Sequence, residues 1–247
     1  MIEENPIENE KINQILLIDN YSRGFPTDRI MRIETIINDC IAPIELKTIH
    51  FTHFKKEMVE NYMGIILSGS ELNVSSFYYD DRLIKKFKPQ LELIQQADQI
   101  PILALCFGFH LVAYAFEAQI SRMRIFGLDG RIIFIILKET DEIVTNKNIP
   151  VNVHHLDFVS PNDCKIQKNF KILSTSRTLG YKIIQYMKHI ERPIFALQFH
   201  PETHNPYYFH PSLFDERIAE KTRMLGENII ENFIWMCSYK NRNHENL

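Results

Sequence analysis

The sequence predicts an α/β fold: a single doubly wound, mostly parallel sheet flanked by helices, with an added small antiparallel portion. Three observations predict it. Short apolar runs of buried-strand type recur along the 247 residues. In the first half they alternate with segments of helical apolar spacing, the rhythm of a parallel sheet with crossover helices. The middle third then changes character, with strand-like runs and few helices among them. A chain of this length with 45% hydrophobic residues can bury one good core. No repeat, low-complexity tract or linker-like run divides it, so the expected layout is a flexible tail over residues 1–12 and one domain over residues 13–240.

The elements follow in order. "QILLID", Gln14 to Asp19, is a buried strand, and Ile30, Ile33, Ile36 and Ile37 mark the next helix. "IELKTIHF" and "MGIILSGS" are the second and third strands, the latter ending in small residues. Leu83, Ile84, Phe87, Leu91 and Ile94 recur at helical spacing between Asp80 and Asp98, where Pro89 is expected to start a second helical segment. "PILAL" is a strand leading into helical "GFHLVAYAFEA". "ISRMRIFG", "RIIFIIL" and "GYKIIQYM" are the candidate strands of the added or antiparallel portion. "PIFALQF" is a further buried strand, and Ile218, Leu225, Ile229, Phe233 and Met236 lie on a closing helix that covers the sheet.

Composition excludes several classes of function. A net charge of -3 with interspersed signs gives no electrostatic footprint for nucleic acid or a membrane surface. The apolar stretch Ile100 to Ala118 is nearly long enough to span a bilayer, but Pro101, Gly108, His110 and Glu117 make it a strand, a turn and a helix instead. Cys40, Cys106, Cys164 and Cys237 are scattered, with no paired spacing for structural zinc and no disulfide framework. With an acidic, polar N-terminus that is no signal peptide, they imply a reducing, cytoplasmic setting.

Within "PILALCFGFH" the thiol of Cys106 falls where a buried strand turns into a helix. Ligands bind beyond the carboxyl ends of strands in open α/β sheets. A sharp strand-to-helix turn lifts a nucleophile clear of the sheet. Ala104 and Gly108 supply the small neighbours such a turn needs. The helix N-terminus favours a thiolate, and its N–H groups can bind a developing oxyanion. Alone, Cys106 reads equally well as a packed core residue. A thiol nucleophile also needs a base and a group to orient it. His200 and Glu202 offer both, at the exit of "FALQFHPE".

These stretches resemble the class I (triad-type) glutamine amidotransferases, whose elbow reads roughly P-x-L-G-x-C-x-G-x-Q and whose Q-F-H-P-E motif is intact at Gln198 to Glu202. "ILSGSELNV" resembles the family's oxyanion-strand segment, and "HHLDFV" its S-H-x-D-x-V segment. "GENIIENFIWMC" is similar to the closing helix of the glutaminase part of GMP synthetases. The resemblance runs from about Ile15 to Cys237. It implies a flavodoxin-like sheet, with Cys106 as nucleophile, His200 as general base and acid, and Glu202 orienting the imidazole. The backbone N–H groups of Ser70 and Phe107 would form the oxyanion hole. Gly69, His110, His154 and His155 would line the substrate site. The implied steps are a γ-glutamyl thioester and its hydrolysis, needing no metal or organic cofactor.

Three departures from the family pattern stand out. Ala104 replaces glycine, His110 replaces the glutamine that helps hold substrate, and Ser68-Gly69-Ser70-Glu71 replaces S-G-G-P. Ser70 must then adopt a backbone conformation that glycine reaches more easily. The "SGS" form is similar to family members that hydrolyse γ-glutamyl peptides. His110 reads equally as a packed helix residue or a substrate contact. Adjacent His154 and His155, if on a strand, point to opposite faces and cannot share an ion. The stretch from Thr203 to Met224 carries Tyr207, Tyr208, Phe209 and Phe214, and suits a surface loop or a lid and partner surface.

Three functions are compatible with these residues. The first is a glutaminase handing ammonia to a separate synthetase, since no synthetase segment or P-loop follows the closing helix. The second is a stand-alone hydrolase of γ-glutamyl amides or peptides. The third is a non-catalytic binding protein of the same fold, which retention of all three triad residue types argues against.

Overall fold

A computed structural model describes residues 13–25, 27–42, 44–124, 131–203 and 215–244, with side chains as far as residue 239. In chain order the elements are β1 (Gln14–Asp19), α1 (Arg29–Asp39), β2 (Glu45–His50), β3 (Gly64–Leu67), α2 (Asp81–Gln96), β4 (Ile102–Leu105) and α3 (Phe107–Ala115). There follow β5 (Ile120–Arg122), β6 (Arg131–Ile136), β7 (Asn148–Val153), β8 (Asp157–Val159), α4 (Cys164–Asn169), β9 (Phe170–Thr178), β10 (Tyr181–His189), β11 (Ile194–Leu197) and α5 (Glu216–His244). The expected tail, residues 1–12, lies outside the described residues, as do Tyr207, Tyr208, Phe209 and Phe214.

Seven strands form the main sheet in the order β2-β1-β3-β4-β11-β10-β9. The first five are parallel, while β10 and β9 run antiparallel to their neighbours. This is the mostly parallel α/β sheet expected. Two small antiparallel pairs, β5 with β8 and β6 with β7, form the addition. "GYKIIQYM" takes the antiparallel alternative of the sequence reading: as β10 it pairs antiparallel with β11 inside the main sheet rather than in the two small pairs, with most of its run buried.

Alternation along the central strands divides the core in two. Leu16, Ile18, Leu67 and Ala104 face α2 and α3 with Phe87, Ile94, Phe107 and Leu111. Ile15, Leu17, Ile66 and Leu105 face α1 and α5 with Ile33, Ile37, Ile229 and Phe233.

Pro89 does not divide its helix. Asp80 caps α2 by accepting from the Arg82 and Leu83 N–H groups, and the helix runs through Pro89 to Gln96. An interior proline costs about 3 kcal/mol. Phe87, Leu93 and Ile94 are all buried on one face of α2, each worth roughly 1.5–3 kcal/mol, so packing wins. The carbonyl left without its N–H donor is that of exposed Lys85, where water can reach it.

The closing helix packs closely against the loop after β11. α5 starts at Glu216, so the stretch read from sequence as a long loop is helical in its last part. A Cβ built on Gly226 would lie 2.1 Å from the Pro201 carbonyl oxygen. Asn232 donates to the Ile143 carbonyl at 2.9 Å, so the glycine and asparagine of "GENIIENF" each have a packing reason. Gly226→Ala gains about 1 kcal/mol of helix propensity, but the backbone clash should cost more, about 1–3 kcal/mol net. Thermal unfolding should therefore shift down by several degrees as Pro201 is displaced. An unchanged or raised Tm would show that α5 does not press on this loop.

Candidate active site

The site lies at the carboxyl edge of β1, β3, β4 and β11, where an open parallel sheet offers its crevice. Cys106 follows β4 directly and has φ 49° and ψ -93°, a left-handed conformation rare for a residue with a Cβ. Neighbouring backbone holds it there. Its N–H donates to the Leu197 carbonyl at 2.8 Å, and its own carbonyl accepts from His110 N–H at 3.2 Å as α3 begins. Gly108 lets the helix approach β3, since a Cβ there would lie 2.6 Å from the Leu67 carbonyl oxygen. Cys106 Sγ lies 3.7 Å from the His154 carbonyl oxygen and 4.0 Å from Gln198 Nε2.

His200 and Glu202 leave β11 two residues apart, and both are buried. His200 Nδ1 lies 2.7 Å from Glu202 Oε1. That bond places the ring's hydrogen on Nδ1 and turns Nε2 outward as the basic nitrogen. Burial and the Arg29 guanidinium both push the His200 pKa down. Cys106 and Glu202 outweigh them and raise it to about 9. The Glu202 carboxyl is itself lowered: burial acts against this, but the facing imidazole and Arg29 prevail.

Cys106, Phe107, Ser70, His110, His154 and His155 line one cleft of about 300 Å³, the lower end for small-molecule sites. Phe107 is the first residue of α3, where an N–H has no intrahelical acceptor. Ser70 avoids positive φ, so the missing glycine imposes no strain. Gly69 is needed for space instead: a Cβ there would lie 2.9 Å from His200 Cε1 and 3.0 Å from the Tyr21 hydroxyl. His110 is buried at the cleft floor, its Nε2 2.8 Å from Gln198 Oε1. It therefore both packs in α3 and faces the cleft.

His154 and His155 sit in the loop between β7 and β8, not on a strand, so both can line the cleft. Asp157 holds that loop by accepting from the Ser75 N–H and hydroxyl at 2.8 and 2.7 Å. His155 is buried and His154 exposed. Among the described residues no group of three His, Cys, Asp or Glu side chains is placed to hold a metal ion.

Arg29 lines the cleft but carries no motif in the sequence. Arg29, the first residue of α1, places its Nη1 2.9 Å from His200 Nε2 and 3.2 Å from the Tyr21 hydroxyl. The available signal was its position: Arg29 lies on the same helix face as buried Ile33, Ile36 and Ile37. Glu71 accepts from Ser22 N–H at 3.2 Å at the cleft wall.

The buried histidines set a pH profile of stability. Burial lowers the pKa of His110, and burial with the nearby His110 charge lowers His155 to about 3. Below pH 6.5 the unfolded chain takes up these protons and the folded one does not, so stability falls with acid. For His200 the sign reverses: the folded ring keeps its proton to about pH 9, and stability is lost as pH rises from 6.5 towards 9. The Tm should peak near pH 6.5 and drop on the acid side by about 3–5 °C per pH unit for each excluded ring. His155→Gln should flatten that acid limb, and an unaltered slope would show that His155 does not control it.

The sequence profile of the family "Glutamine amidotransferase class-I" matches residues 28–218. The chain is 30% identical over 140 residues to a subunit of the glutamine-hydrolysing GMP synthase of Pyrococcus abyssi, covering 56% of this chain and 61% of that protein, less than two thirds of its length. It is 28% identical over 181 residues to the corresponding GMP synthase subunit of Methanocaldococcus jannaschii, covering 72% and 75%. A protein from Thermoplasma acidophilum, described as a GMP synthase subunit, shares the fold, with a TM-score of 0.68, 21% identity, and 95% of this chain and 98% of that one covered. A Thermotoga maritima glutamine amidotransferase superposes with a TM-score of 0.61 at 15% identity, over 91% and 97%. In the described residues no helix is long and apolar enough to cross a membrane. With the profile matched over most of its length, the chain belongs to the class I glutamine amidotransferase family.

Proposed function

We infer that this protein hydrolyses the γ-amide of glutamine through a cysteine thioester. The observation that carries this reading is the buried 2.7 Å contact between His200 and Glu202, with His200 interacting with Cys106, which the strained elbow presents to the cleft. His200 Nε2 takes the Cys106 proton, and the sulfur attacks the γ-carbonyl carbon. The Ser70 and Phe107 N–H groups are the donors for the resulting oxyanion. His200 then returns the proton to the leaving nitrogen, releasing ammonia and leaving a γ-glutamyl thioester. Water, deprotonated by the same ring, hydrolyses that ester to glutamate and free thiol. Glu202 supports the imidazolium in both halves.

The two archaeal relatives are named as subunits of a glutamine-hydrolysing GMP synthase, and the ammonia here is proposed to pass to a separate synthetase. Hydrolysis of γ-glutamyl peptides is the second reading. It is favoured by His110 at the cleft floor, where the family's elbow carries glutamine, and by Ser70 in the oxyanion segment.

Cys106→Ala and Cys106→Ser should lose several orders of magnitude in ammonia release while unfolding at the wild-type temperature. Full activity in Cys106→Ala would end this reading. His200→Asn should lose at least about 10²- to 10⁴-fold in kcat, and Glu202→Gln less, because it loosens the base without removing it. Wild-type rates in both would mean that another pair does the chemistry. The isolated chain should turn over free glutamine weakly, with a high KM. His110→Gln should lower that KM and change the ratio of kcat/KM for glutamine to that for a γ-glutamyl dipeptide. A constant ratio from pH 6 to 8 would leave His110 as packing alone.

A further inference from the structure

The Arg29 guanidinium lies against the face of the His200 ring, its Nη1 2.9 Å from Nε2 and 3.3 Å from Nδ1. An atom on the in-plane axis of either nitrogen would be far from the other, so both in-plane directions stay free. Nδ1 meets Glu202 at 2.7 Å, which leaves Nε2 for Cys106. Tyr21 holds the guanidinium there, its hydroxyl accepting from Nη1 at 3.2 Å. Burial acts against the Arg29 charge, but Tyr21, Glu202 and Cys106 keep it protonated. The groups facing the ring are Cys106 from the elbow, Arg29 from α1, Tyr21 from the loop after β1, Glu202 after β11, and His155 from the β7–β8 loop. Burial keeps His155 and the Tyr21 hydroxyl neutral at pH 7. Three charges therefore matter to the ring. Cys106, once its proton has passed to the ring, and Glu202 favour the imidazolium, and Arg29 opposes it. A thioester sulfur carries no charge, so in the acyl-enzyme burial and Arg29 face Glu202 alone.

We propose that Arg29 is a positioning residue that makes His200 give up its proton once Cys106 is acylated: its guanidinium, fixed against the ring face, drives the proton onto the leaving nitrogen and keeps the ring neutral to take one from water. This rests on the amidase reading above and deepens it by assigning a residue to the switch between its two halves. In the first half the C–N bond of the tetrahedral adduct breaks, its electron pair stays on nitrogen, and the Nε2 proton adds there to give ammonia. The ring is then neutral beside a guanidinium that disfavours recharging it from solvent. In the second half water attacks the thioester carbon and its proton passes to Nε2. The C–S bond then breaks with its electron pair on sulfur, and the renewed negative charge again holds the ring's proton. One fixed cation thus serves both halves, because the charge that balances it appears and disappears on sulfur.

The test reads His200 directly, by NMR titration of histidine-labelled protein, with its signal identified by loss in His200→Asn. Cys106→Ala stands in for the uncharged sulfur. In Cys106→Ala the ring should titrate at least about one pH unit below that of wild type. Adding Arg29→Gln should raise it again by about 1–3 pH units, the effect of a charge at this distance, whereas Arg29→Lys, which keeps the charge, should move it little. A Cys106→Ala ring that titrates where the wild-type ring does, or one that Arg29→Gln leaves unmoved, overturns the proposal. Arg29→Met, of similar length and uncharged, takes the place of Arg29→Gln if that chain does not fold. With glutamine, Arg29→Gln should release ammonia in a burst and hold a γ-glutamyl group on Cys106, seen by peptide mass. Its kcat should be about tenfold or more below wild type at pH 7 and recover towards pH 9, with Arg29→Lys close to wild type. A loss in kcat that is the same at both pH values is the mark of misplaced packing and overturns the proposal. If wild type releases no ammonia from glutamine, the amidase reading fails, and the titrations still judge the hold of Arg29 on the ring by themselves.

Discussion

The backbone of Cys106 is bent into a conformation that an L-residue resists, at a cost of order 1–3 kcal/mol, and the surrounding sheet has to hold it there. Strand β4 is paired on both sides, to β3 and β11. The Cys106 N–H is tied to β11 through the Leu197 carbonyl. α3 can then start at once only because Gly108 has no side chain to strike Leu67. The same strand that restrains the thiol carries Gln198 and His200 one step further on. The two halves of the site are therefore set by one ladder of hydrogen bonds.

Around this ladder the electrostatics are arranged in opposition. Glu202 and Cys106 favour a proton on His200, while burial and Arg29 disfavour it. None of these charges is screened by much water, so each is felt strongly. A histidine with only a carboxylate beside it would be a fixed cation.

The loop between β7 and β8 shows how much of the site is built by parts that do no chemistry. Buried Asp157 joins it to the short helical turn at Val74–Tyr78 through Ser75. That pins the wall carrying His154 and His155 against the segment carrying Ser70. On the opposite side α5 rests against Pro201, between His200 and Glu202.

Much of this was legible in the residues alone. The apolar runs of β1, β3, β4 and β11 announced the parallel sheet, because a strand buried on both faces has few polar positions to confuse its signal. The elbow and the His-Pro-Glu exit were readable because their geometry demands particular residue types close together in sequence. The continuity of α2 through Pro89 was not, since local propensity says nothing of how much apolar surface the helix buries against the sheet. The place of β10 was equally hidden, because only pairing partners distant in sequence decide which sheet a strand joins. Arg29 looked like an ordinary charge at a helix start. Its contact with His200 spans 171 positions of sequence, and only the tertiary fold, by burying the α1 face against the crevice, turned that charge into part of the site.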